Sequence, residues 1–233
     1  MTADHDMPGS SPASERLTAL TQFIAKPGRE AAIRDALLSS AESTRAEAGN
    51  IRYAVHQLKN IPAAFYVLED WTNQAALDAY RASSRVPAVL KEQAPSDLVA
   101  PPMRSHARML SHPDTRPDRP RPAARSADQV TLVPFFTIMK GEVDSVRDAH
   151  LSMLEPTRAE AGCLDYDLYQ SRDDPSVMFF YENWTDAEAL SRHMNTPNFY
   201  RFVRGEIDRR LVVPWTALAM AMLSEPDSGR GAR

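Results

Sequence analysis

The 233-residue chain sets 27 Lys and Arg against 31 Asp and Glu, a net charge of -4, with 43% hydrophobic and 25% charged residues. This is the profile of a soluble globular protein and leaves no basic footprint for nucleic acid. The lone Cys163 rules out an internal disulfide, no run approaches the roughly 18 apolar residues of a membrane helix, and Asp4, Asp6 and Glu15 stand where a secretory signal would be apolar. A cytoplasmic location without a membrane partner is therefore expected.

Residues 1–16 are small, polar and rich in Pro and Ser, and are expected to be disordered. Beyond them the six letters TRAEAG at Thr44–Gly49 return at Thr157–Gly162, an offset of 113 residues. The same offset carries Tyr53 onto Tyr166, Gln57 onto Gln170, Pro62 onto Pro175, Glu69 onto Glu182, Trp71 onto Trp184, Leu77 onto Leu190 and Pro101 onto Pro214 without a gap. A period this long is outside the solenoid and propeller range, so two copies of one domain are expected, at residues 17–111 and 130–224. Between them, residues 112–129 mix Pro with Arg and Asp and read as a linker stiffened toward polyproline II. Residues 225–233 form a polar tail.

The second copy gives the clearest element pattern. Val130–Met139 is an apolar strand broken by Pro134, which argues for an edge position or a bulge. A helix opens after Gly141, with Val143, Val146, His150, Met153 and Thr157 along one stripe, Pro156 kinking its last turns and Gly162 stopping it. The first copy has Ser43 at the Pro156 position and needs no kink. Cys163–Ser171 and Val177–Trp184 form a hairpin across the turn at residues 172–176. Thr185-Asp-Ala-Glu188 reads as a capping box that starts a helix at Asp186. This helix breaks at residues 195–197, restarts with Phe199, Phe202, Val203 and Ile207 on one side, and yields to a strand over Leu211–Leu223. The order β-α-β-β-α-β defines an α+β, ferredoxin-like unit with an antiparallel sheet.

In the strand Val177–Trp184, Val177, Phe179 and Tyr181 share one face, and Met178, Phe180 and Trp184 the other. Helices can cover only one of two apolar faces, so a second sheet must cover the other. That sheet belongs either to the other repeat, giving an intrachain pseudo-dimer, or to a second chain, giving a homodimer of the dimeric α+β barrel type.

The familiar chemical motifs are missing: there is no Gly-rich phosphate loop, Cys-x-x-Cys, His-x-x-x-His or nucleophile elbow. The six histidines have no metal-ligand spacing, and neither a bound metal nor a flavin is expected. Each notable residue has a plain structural reading. His193 can be a satisfied core histidine, Trp184 a staple for the helix entry, Tyr166 and His150 core, and Glu182 the buried partner of Arg158. Cys163 has no local histidine to activate it.

One set of residues in the second copy nevertheless resembles a known pattern: Gly162, Cys163, Leu164 and Tyr166, then Glu182 and Trp184, then Ala189, Leu190 and His193, then Thr196, Pro197 and Phe199. In these the chain resembles the antibiotic biosynthesis monooxygenase family, most closely its quinol monooxygenase-like members. The resemblance implies a ferredoxin-like fold paired through its sheets and, as in several members, oxygen insertion into electron-rich aromatics without a cofactor. The first copy keeps Glu69, Trp71, Ala76 and Leu77, but Tyr80 stands at the His193 position and residues 81–85 replace the Thr-Pro-x-Phe segment.

The expected activity is a cofactor-independent monooxygenation of a phenolic or quinol-like aromatic by dioxygen, centred on the second copy. His193 would be the base, since a neutral imidazole accepts a proton near neutral pH. Trp184, Phe180 and Phe199 would stack the ring, and Asn183, Tyr169 or His150 would hydrogen-bond a substrate oxygen. The alternative is a non-catalytic aromatic-binding or sensing module on the same fold.

Overall fold

In the computed structural model, which describes residues 16–83, 86–88, 96–114 and 126–224, the two repeats match strand for strand. Repeat one runs β1 (Leu17–Ile24), α1 (Glu30–Arg45), β2 (Asn50–Leu58), β3 (Ala64–Trp71), α2 (Gln74–Ala82) and β4 (Met103–Met109). Repeat two runs β5 (Val130–Thr137), α3 (Val143–Ser152), α4 (Leu154–Arg158), β6 (Cys163–Ser171), β7 (Val177–Trp184), α5 (Ala187–Met194), α6 (Pro197–Phe199), a π-helical segment (Tyr200–Ile207), a 3-10 turn (Asp208–Arg210) and β8 (Thr216–Met222). Leu17 pairs with Trp71 and Val130 with Trp184, and each hairpin carries its register shift at the same place, Asn50/Arg52 and Cys163/Asp165.

Each repeat is a four-stranded antiparallel sheet with its last strand beside its first, and the two sheets join at both edges. β2 pairs with β8 and β4 with β6, which closes an eight-stranded barrel within one chain. The covering sheet that the two-faced strands demanded is therefore the other repeat. Met178, Phe180 and Trp184 face the helices of repeat two, whereas Phe179 and Tyr181 point into the barrel with Leu20, Tyr66 and Leu68 of repeat one. A separate layer under α1 and α2 holds Leu37, Trp71 and Leu77.

The barrel also encloses charge. Arg52, on β2, meets Asp70 at 3.2 Å and Asp167 of the other repeat at 3.1 Å, and its guanidinium lies 5.3 Å from the centre of the Tyr181 ring. Arg158 donates to Asp167 at 2.9 Å, so the network crosses the junction between repeats and continues to the helix side.

Gly49 and Gly162 explain why the TRAEAG turn ends as it does. Both have positive φ, 87° and 90°, and a Cβ would lie 2.7 Å from the Ala76 Cβ at the first and 2.5 Å from the Ala189 Cβ at the second. Only glycine meets both demands. The first helix confirms the reading of Pro156: α1 runs unbroken for 16 residues, whereas its counterpart is interrupted at Met153, three residues before the proline.

Three local expectations are corrected. Pro134 lies in an interior strand, paired with Ala217 on β8, because a closed barrel has no edge; its missing amide leaves a gap in the β5–β7 ladder between Leu132 and Phe135. The cap of α5 is Asp186, whose carboxylate accepts from the Ala189 amide at 2.8 Å, while Thr185 donates to Asp186. Asn73 caps α2 in the same way at the equivalent position. The last strand begins at Thr216, and Leu211 makes only an isolated bridge to Ile138. The expected N-terminal segment up to residue 15, the tail 225–233 and linker residues 115–125 lie outside the described residues.

Candidate functional site

A cavity lies between the outer face of the repeat-two sheet and its helices. β5 contributes Leu132, Pro134 and Phe136, β6 Tyr166, and β7 Phe180 and Glu182; Leu190, His193 and Met194 of α5, Phe199, Val203 and Trp215 complete the wall. The cavity volume is about 20 Å³, and the cavity opens to solvent. As it stands the cavity holds about one water molecule. Met194, itself 36% exposed, stands at the boundary with solvent.

His193 is buried against the Trp184 ring, stacked at 4.7 Å, with Tyr166 and Phe199 at its edges. Its Nδ1 lies 3.1 Å from both carboxylate oxygens of Glu160. Glu160 as acceptor puts the proton of a neutral ring on Nδ1 and leaves Nε2 as the basic nitrogen. Glu182 is buried beside it and accepts from the Trp184 indole N–H at 3.1 Å through Oε2. Burial drives its carboxyl up to about 7, against the opposing pull of His193 and the indole hydrogen bond. Arg158 is not its partner, as the sequence suggested: that guanidinium is held by the Tyr166 and His112 carbonyls and by Asp167, on the far side of β6.

Of the residues expected from sequence to contact a substrate, Phe180, Phe199 and His193 line this cavity. Trp184 stands behind His193 and sets the plane of its ring. Asn183 points into the barrel, where it accepts from Thr131 at 2.6 Å and donates to Asp165. Tyr169 is also inside the barrel, stacked on Phe179 at 5.1 Å. His150 lies behind Phe136 and Phe180, fully buried, with neither ring nitrogen hydrogen-bonded. Tyr166, read as core, is both core and cavity wall. Sequence reading passed over Glu160, Pro134, Met194 and Trp215, although Pro134, Met194 and Trp215 stand where repeat one has Thr21, Arg81 and Pro102.

The equivalent place in repeat one is built differently. Tyr80 occupies the His193 position, stacks on Trp71 at 5.1 Å and shares a 2.7 Å hydrogen bond with Thr44.

Burial lowers His150 to about 3, so its neutral form is the native one. Protonation of His150 then favours the unfolded chain as pH falls from about 6.5 toward 3, and the stability lost is present in full above 6.5. His150→Leu, which installs the residue found at Leu37, is expected to match wild type at pH 7.5. At pH 4.5 it should exceed wild type by about 3 kcal/mol in denaturant melts.

The antibiotic biosynthesis monooxygenase model matches residues 16–92 and again 129–205, well over half of the chain, so the chain belongs to that family. Rv0793 of Mycobacterium tuberculosis, provisionally named a monooxygenase, is 34% identical over 106 residues, covering 46% of this chain and 85% of that protein. An uncharacterised Synechocystis protein, sll1783, is 35% identical over 57 residues, 24% of this chain and 39% of its own length. Among solved structures, one from Lactobacillus acidophilus, provisionally titled a monooxygenase, superposes with a TM-score of 0.74 at 12% identity, over 92% of this chain and 97% of the other. An anthrone oxidase-like protein follows at 0.65 and 12% identity, over 95% and 97%. These likenesses span both repeats, so the whole closed barrel is a shared fold. No described helix is long and apolar enough to cross a membrane.

Proposed function

We propose that the protein is a monooxygenase that oxidises a phenolic or quinol-like aromatic with dioxygen and needs no bound cofactor. The observation that carries this reading is a buried imidazole, oriented by Glu160 and stacked on Trp184, in a cavity walled mainly by aromatic and aliphatic side chains beside Glu182. Family membership and the monooxygenase name of the mycobacterial relative support it.

Nε2 of His193 takes the acidic proton of the bound phenol, and the anion is electron-rich enough to pass one electron to dioxygen. Radical recombination forms a C–O bond and leaves a peroxide. For a ring carbon that holds two hydrogens in the keto tautomer, loss of water gives the carbonyl: CH2 and O2 become C=O and H2O. All four electrons come from the substrate, so no external reductant is consumed. Phe180, Phe199 and Trp215 hold the ring and keep water from the peroxide.

The test is oxygen uptake with simple hydroquinones and anthrone-type phenols, with chelator present and no cofactor added. Uptake with one labelled oxygen from 18O2 retained in the product is expected. A need for added flavin or metal overturns the mechanism, and tight aromatic binding without uptake favours a binding module.

A further inference from the structure

The duplicated chain supplies an internal control for Glu182. Its counterpart Glu69 is equally buried and accepts the same hydrogen bond, from Trp71 Nε1 at 3.0 Å. Glu69, however, lies in the field of Arg81 and Arg104, which favour its ionised form against burial. The 113-residue register places Met194 and Ala217 at those two positions in repeat two, and the strand pairing of β4 and β8 keeps that register. Burial raises the Glu69 carboxyl as well, but the arginine charge that opposes the rise there is replaced in repeat two by a methionine of the cavity wall. Among the charged groups acting on Glu182 are His193, which favours its ionised form, and Glu160, which opposes it.

We propose that Glu182 is a second substrate-contacting residue, a carboxylic acid whose Oε1 donates its proton in a hydrogen bond to an oxygen of the bound aromatic. The proposal rests on the reading of the cavity as an aromatic oxidation site and adds the substrate class. The ligand is uncharged and carries two oxygens, an acidic hydroxyl for His193 and an acceptor oxygen for Glu182. Oε2 is held by the indole, which leaves Oε1 for the cavity. The carboxyl near 7 is half protonated at neutral pH, so the acid form is available without extra cost. In the reaction, Glu182 gives its proton to the peroxide oxygen and His193 holds the one taken from the substrate. The remaining ring C–H proton passes to the Glu182 carboxylate as the O–O bond breaks, and His193 gives its proton to the departing hydroxide, which leaves as water.

Glu182→Gln keeps the acceptor for Trp184 and removes the acid. In wild type, infrared difference spectra at pH 6 should contain a protonated carboxyl band that titrates near neutrality, is missing in E182Q and shifts when 6-methoxy-2-naphthol, which carries a hydroxyl and a second acceptor oxygen, binds. With an oxidisable quinol, E182Q should lose tenfold or more in kcat, keep KM within about threefold, and lose the pH limb near 7. Binding of 2-naphthoate should be at least tenfold weaker than that of 2-naphthol in wild type. If E182Q does not fold, Glu182→Asp replaces it and must move the band. A wild type that consumes no oxygen but shifts the band with 6-methoxy-2-naphthol sinks the oxidation reading and sustains this one. A band absent from wild type, or unmoved by 6-methoxy-2-naphthol, overturns the proposal whatever the oxygen uptake.

Discussion

Replacing His193 by alanine is expected to slow oxygen consumption with a quinol-type substrate by roughly 10²-fold or more, the scale of removing a general base. The variant should stay folded: the side chain packs on Trp184, but its polar contact is to the surface-facing Glu160, whose side chain can turn to solvent. Tyr80→Phe is the matched control, since Tyr80 fills the same place in repeat one without an imidazole and its hydroxyl serves Thr44. A modest stability loss with unchanged turnover is expected there. Full oxygen uptake by folded His193→Ala would remove the imidazole from the mechanism, and an equal loss from Tyr80→Phe would place activity in both halves.

The largest expected stability effect is Arg52→Ala. The guanidinium is shared between Asp70 and Asp167, both buried in the barrel, and truncation leaves the Asp70 carboxylate without its paired cation and Asp167 with Arg158 alone. Breaking a buried pair in this way costs about 3–5 kcal/mol, or roughly 6–20 °C in thermal midpoint for a chain of this size. Because Asp167 comes from the other repeat, a double-mutant cycle between Arg52→Ala and Asp167→Ala measures the coupling across the junction. A coupling near zero would mean that the repeats are joined by apolar packing and strand pairing alone.

Much of the architecture is legible in the sequence because the repeat ties many local signals to one register. The hairpin strands Cys163–Ser171 and Val177–Trp184 fall where the Gly162 stop and the turn at residues 172–176 bound them. Apolar residues on both faces of β7 demanded a second sheet, yet the pattern is the same whether that sheet is in cis or in trans, so only the three-dimensional pairing decides it. Pro134 misled because a missing amide is tolerated in an interior strand where the ladder opens.

At the site, strand parity separates the residues that meet from those that do not. Asn183 shares its face with Phe179 and Tyr181, which sends it into the barrel, while Phe180 and Glu182 face the helices. Parity alone therefore argues against Asn183 as a wall residue. Glu160 was hidden because it lies in a turn whose sequence is the same in both repeats, and its contact to His193 is non-local. The differences between repeats are the better guide: Pro134, Phe180, His193, Met194, Phe199 and Trp215 replace Thr21, Val67, Tyr80, Arg81, Val86 and Pro102.

Closing the barrel within one polypeptide changes how the two halves can vary. In a barrel built from two identical chains every substitution is written twice, so a residue that costs x in stability costs 2x, and both pockets gain or lose a group together. Here β2 meets β8 and β4 meets β6 of the same chain, and each substitution enters once. Tyr80 can fill the place in one repeat that His193 takes in the other, and Arg52 can face Asp167 without a second arginine meeting a second aspartate across the axis. A hetero-paired core and two unlike helix faces are states that the symmetric assembly cannot reach.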